Sequence, residues 1–115
     1  MSLTIYHNPR CSKSRQTLAL LTERGLAPKI VAYLEAPPSV ATLRDLLKKL
    51  GLRPRDLLRT REAAYKELQL ADPAKSDGDI LAAMASHPIL IERPIVVNGA
   101  KAALGRPPEQ VLEIL

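Results

Sequence analysis

The chain has no phenylalanine and no tryptophan, one cysteine, two histidines, and no apolar run near the roughly 18 residues that a bilayer-spanning helix requires. Each shortage removes a class of function. One cysteine closes no internal disulfide, which excludes the stapled design of small secreted proteins. Cys11, His7 and His87 are too few to make a structural zinc site. The opening MSLTIYHNPR lacks a basic lead followed by an apolar stretch. It reads as the start of a strand and not as a signal peptide, and the expected compartment is the cytoplasm. Three tyrosines are the whole aromatic complement, little for the stacking platforms of a single-strand nucleic-acid binder. The net charge of +5 does not reverse this, because 17 basic residues are interleaved with 12 acidic ones, as in RDLLKK and REAAYKE. Neither nucleic acid nor a membrane is expected as a partner. A modest basic excess suits a small anion.

What is present describes one globular domain over residues 1–115. With 46% apolar and 25% charged residues, the chain can bury a core of its own. Leu3–Tyr6 is a short β-branched and aromatic run that predicts a strand. His7-Asn8-Pro9 is a turn, and Ser12–Arg24 reads as a helix stopped by Gly25. Lys29–Leu34 predicts a second strand, parallel to the first through a right-handed βαβ crossover. After the Ala36-Pro37-Pro38 break, Ser39 caps an amphipathic helix with Leu43, Leu46, Leu47 and Leu50 on one face and Gly51 at its end. Short helical pieces follow over Asp56–Leu58 and Ala63–Leu70. Ser76 and Asp79 form a capping box for a helix over Ile80–Ser86, which Pro88 ends. Ile95–Val97 and Lys101–Leu104 then read as a hairpin about Asn98-Gly99, and Pro107-Pro108 opens a final helix. The order is β-α-β, a helical middle, then β-β-α. It predicts an α/β, thioredoxin-like fold: a mixed four-stranded sheet flanked by helices, with an all-helical insertion at about 39–88.

The loop HNPRCSKSR joins the first strand to the first helix and places Cys11 at or just before the helix N-terminus. Unpaired backbone amides and roughly half a positive charge favour a thiolate or an oxyanion there. The ordinary cysteine pKa of about 8.5 falls by one to several units in such places. Arg10, Lys13 and Arg15 add charge of the same sign. A cysteine among apolar neighbours would read as a small core residue, but these neighbours are polar and basic. His7 either orients the thiol or closes the strand end. Ser14 stands where a C-x-x-C motif would carry its second cysteine. Without that second thiol the protein cannot resolve a mixed disulfide, so a redox cycle needs an external thiol such as glutathione or glutaredoxin.

The segment LTIYHNPRCSKSR resembles the start of the glutaredoxin-dependent arsenate reductases, the ArsC family. YLEAPPS, LLRTREAAYKELQLAD, HPILIERPIVVNG and GRPPEQVLEIL agree with that family in order and spacing across nearly the whole chain. The resemblance implies that Cys11 is the nucleophile that bonds arsenic. It implies that Arg59, Arg93 and Arg106 hold the arsenate oxygens, and that His7, Ser14 and Arg15 keep the thiolate ionised and the anion bound. Arg93-Pro94 matches the cis-proline of thioredoxin-like folds. Implied too are glutathione as co-substrate, glutaredoxin as partner and no tightly bound cofactor. The chain departs from the best-known members at Ser12-Lys13, in place of Gly-Thr, and at Arg10, in place of a small residue. Two other readings share the reactive cysteine. One is a glutathione-dependent thiol oxidoreductase with no arsenate role. The other is a Spx-type regulator that binds RNA polymerase, against which Ser14 and Arg106 both count.

Overall fold

The computed structural model describes residues 3–115. Met1 and Ser2, the first two residues of the opening stretch, lie outside them. The described residues divide into two compact units, one of residues 3–36 with Arg93–Leu115 and one of Pro37–Glu92.

The first unit is built on a four-stranded sheet of β1 (Leu3–Tyr6), β2 (Lys29–Val31), β3 (Ile95–Asn98) and β4 (Lys101–Leu104), in the order β2-β1-β3-β4. β1 pairs parallel with β2 and antiparallel with β3, and β3 pairs antiparallel with β4. The sheet is therefore mixed, as the β-α-β and β-β-α halves predict. In register, Ile5 lies opposite Val96, and Val96 lies opposite Ala103. These three are buried with Leu21 of α1 (Ser12–Glu23) and Val111, and partly buried leucines complete the cluster. Fully burying a side chain such as Ile5 or Val96 contributes about 1.5–3 kcal/mol, so this cluster anchors the β1–α1 turn.

In the first unit three local expectations need correction. The second strand ends at Val31, not Leu34, because Ala32 O accepts from the amides of both Glu35 and Ala36 and the chain turns there. The hairpin's central pair is Gly99-Ala100, since Asn98 still pairs with Lys101. Gly99, at φ 61°, takes the positive φ required at the first central residue of a type II′ turn. The Asn98 side chain instead donates to Ile114 O at 2.6 Å. The last helix, Pro108–Ile114, has 3-10 geometry, with Pro107 as its N-cap.

The second unit holds α2 (Val40–Leu50), α3 (Ala63–Glu67) and α4 (Asp77–Ser86). Ser39 accepts from the Thr42 amide, Gly51 closes α2 at φ 70°, and Ser76 and Asp79 form the predicted capping box. Each such cap contributes about 1 kcal/mol. Pro88 does not simply end α4 but begins a 3-10 turn, Pro88–Leu90, and another 3-10 turn covers Pro54–Leu57. The unit also contains one isolated antiparallel bridge, Leu58 to Ile91. Leu43, Leu46, Leu47, Ile80, Leu81 and Met84 are buried, and α4 packs on α2. Arg55 ties the loop after α3 in place, donating to the carbonyls of Leu70 (2.7 Å), Asp72 (2.9 Å) and Lys75 (3.1 Å).

Candidate functional site

Cys11 is the N-cap residue of α1, with extended backbone (φ −93°, ψ 123°) and no side-chain cap bond. The local sequence dictates this position. Asn8 Oδ1 accepts from the Arg10 amide at 2.9 Å, and Asn8 O accepts from the Cys11 amide at 3.0 Å. This is the self-bonding turn that asparagine favours, and it delivers the chain to the helix with the sulfur over the first amides.

Cys11 is 8% exposed. Burial alone pushes the Cys11 thiol up. The Ser14 amide, the Arg93 side chain as hydrogen-bond donor and charge, and the Lys13 amide together outweigh it and hold the thiol below its ordinary value. Arg106 Nη2 lies 3.6 Å from Sγ, and its Nε donates to Arg93 O at 2.7 Å, so the two arginines are tied to one another. The two flank the β3–β4 hairpin: Arg93 precedes β3 and Arg106 follows β4, and each is followed by a cis peptide bond, Arg93-Pro94 and Arg106-Pro107. Two guanidinium groups and a helix N-terminus converge on one sulfur. Such a place stabilises a thiolate and the charge that builds up when it attacks an anion.

His7 and Ser14 form a buried pair. His7 Nδ1 is 2.7 Å from Ser14 Oγ, which also accepts from the Asn8 amide at 3.0 Å. Burial first, and the Arg15 charge second, lower the His7 pKa from 6.5, so the ring is neutral at pH 7. Arg15 is exposed, and its Nη1 donates to Pro9 O at 2.9 Å.

The structure thus brings Cys11, His7, Ser14, Arg15, Arg93 and Arg106 into one unit. Arg59 belongs to the other. There its Nη1 lies 2.8 Å from Glu92 Oε1 and its Nε 3.2 Å from Glu62 Oε1. Four residues around these groups escaped the sequence reading: Asn8, Gly105, Glu62 and Glu92. Asn8 carried a signal, since Asn-Pro at a strand end is a turn-starting pair. The carboxylates carried none beyond ordinary surface charge.

The chain's similarities fall in line with this geometry. The profile described as the ArsC family matches residues 6–114. The uncharacterized protein YfgD of Escherichia coli (strain K12) is 60% identical over 112 residues, 96% of this chain and 94% of that one. An arsenate reductase of Haemophilus influenzae is 52% identical over 116 residues, 100% of both chains. Among solved structures, an arsenate reductase from Vibrio cholerae superposes with a TM-score of 0.98 at 59% identity, covering 100% of this chain and 98% of its own. The mixed sheet with flanking helices is the thioredoxin-like arrangement of these relatives.

Proposed function

This chain belongs to the ArsC family, and from that membership we propose that it is an arsenate reductase whose nucleophile is Cys11. The observation that carries the reading is the meeting of Arg93, Arg106 and the α1 amides on the Cys11 sulfur. Arsenate is a tetrahedral oxyanion, and its attack by a thiolate brings two negative charges together. Permanently charged, bidentate guanidinium donors suit that demand. Cys11 displaces an oxygen from arsenic, which leaves as water, and forms a sulfur–arsenic bond. Arg93 and Arg106 hold the remaining oxygens, and the family resemblance implies an anion-binding role for Arg59. His7, Ser14 and Arg15 support the thiolate and its loop.

Reduction of arsenate to arsenite takes two electrons, equivalent to oxidising two thiols to one disulfide. Cys11 supplies one thiol. Glutathione supplies the second as co-substrate; arsenite leaves as the two sulfurs join in a mixed disulfide, and glutaredoxin then reduces that disulfide to regenerate Cys11. No tightly bound cofactor is required, and the cytoplasm, which holds reduced glutathione, is the compartment that suits the cycle.

The test is arsenate-dependent NADPH consumption with glutathione, glutaredoxin and glutathione reductase. Cys11→Ser abolishes it, and retained turnover overturns the mechanism. Arsenate also protects Cys11 of the wild type from alkylation. A chain that turns over glutathione disulfides but gains no such protection is a thiol oxidoreductase without an arsenate role.

A further inference from the structure

Gly105 lies where three parts of the first unit meet. Its amide donates to Pro94 O at 3.0 Å. The next residue is Arg106, whose guanidinium reaches Arg93 O and the Cys11 sulfur. On another side lies α1. A Cβ at Gly105 would overlap Thr17 Oγ1, and it would stand 2.7 Å from Pro94 Cγ and 3.1 Å from Thr17 Cγ2. Carbon atoms in contact keep about 3.5–4.0 Å between them, so no side chain fits without movement. Here glycine serves close approach; its backbone φ lies outside the left-handed range.

Neither neighbour can yield freely. Thr17 is fully buried, and its Oγ1 donates to Lys13 O at 2.8 Å across the first turn of α1. The amides of that same turn, from Lys13 and Ser14, hydrogen-bond the Cys11 sulfur. Pro94 is buried and follows Arg93, the second guanidinium at the site. Whatever displaces Thr17 therefore disturbs the amides on the sulfur, and whatever displaces Pro94 or Gly105 disturbs the arginines.

We propose that Gly105 is a positioning residue for Cys11: its missing side chain lets the chain before Arg106 lie flush against Thr17 and Pro94, holding the Arg106 guanidinium and the first turn of α1 on one sulfur. This rests on the thiolate role proposed above for Cys11. It differs from general packing in its consequence, because the group that responds is the sulfur.

The experiment is a pH titration of thiolate absorbance, paired with iodoacetamide alkylation rates, on the wild type, Gly105→Ala, Thr17→Ala and the double variant. Circular dichroism establishes that each is folded. In Gly105→Ala the thiolate midpoint rises by roughly one unit, and alkylation at neutral pH slows by up to about tenfold. The shift caused by Gly105→Ala is smaller in the Thr17→Ala background, where part of the overlap is gone. A folded Gly105→Ala that titrates as the wild type overturns the proposal. If Gly105→Ala alone does not fold, the double variant is compared with Thr17→Ala, and identical titrations there overturn it. No arsenate enters these measurements. A protein that passes them but shows no arsenate turnover refutes the proposed reaction and leaves the role of Gly105 standing.

Discussion

Arg59 and Glu92 form a close ion pair, with Nη1 and Oε1 2.8 Å apart, and Glu62 takes the Nε edge of the same guanidinium at 3.2 Å. An arginine engaged by two carboxylates must give up part of that engagement to hold another anion. Partly exposed pairs of this kind contribute about 0.2–1 kcal/mol each. Glu92→Gln, by freeing the arginine proposed above as an arsenate ligand, lowers the KM for arsenate by up to about fivefold with kcat little changed, measured in the coupled assay. A raised KM would show instead that Glu92 orients Arg59 for its task.

The depressed Cys11 pKa has a stability consequence with a definite sign. The folded thiol ionises below its ordinary value. Ionisation thus adds stability that is fully present above the unfolded pKa and is lost as pH falls through the folded one. The stability difference between wild type and Cys11→Ser grows with rising pH across that window. Urea denaturation at several pH values from neutral to about 9.5 measures it. A constant difference would mean that the folded and unfolded thiols titrate alike.

Ser14→Ala removes the partner of His7 Nδ1 and of the Asn8 amide together. Two buried polar groups are left unsatisfied, each at a cost of about 1–3 kcal/mol, read from the urea midpoint. His7 adds an acid-side effect. Its lowered pKa means that its contribution is present above 6.5 and lost as pH falls through the folded value. The loss of stability of the wild type on acidification below pH 6.5 is therefore shallower in His7→Asn.

Arg55 donates to three carbonyls over Leu70–Lys75. Arg55→Ala strands them and costs roughly 1.5–3 kcal/mol. Limited proteolysis then cuts that loop faster than in the wild type, while the Cys11 alkylation rate stays the same.

The fold was legible where local signals agreed with one another. Ser39 and Gly51 bracket the α2 leucines, Ser76 and Asp79 box the start of α4, and both cap pairs occur in the structure. Legibility failed where a residue type has two uses. Asn98-Gly99 is the dipeptide of a type I′ turn, yet Asn98 keeps its ladder pairing and spends its amide on Ile114 O. The same holds for the apolar run through Leu34, which alternates like a strand but turns at Ala32. Around Cys11, charge and chain position were readable because helix termini and basic neighbours are local facts. Arg93 and Arg106 stood out only through the family resemblance. They come from either end of the β3–β4 hairpin, and no local pattern announces that both reach the same sulfur. Gly105 was invisible for a related reason, since a space that must stay empty leaves no mark on the sequence.

The sheet order carries a last consequence. Its outer strands are β2, three residues long, and β4, four residues long, and each opens on an exposed lysine, Lys29 or Lys101. A second molecule seeking to add a strand would find a short row of backbone groups and a like charge facing its own. Brevity and charge are how proteins keep sheet borders from zipping together. Concentrated protein is accordingly protected from ribbon-like association along these borders, and replacing both lysines by valine would remove the charge and leave only brevity.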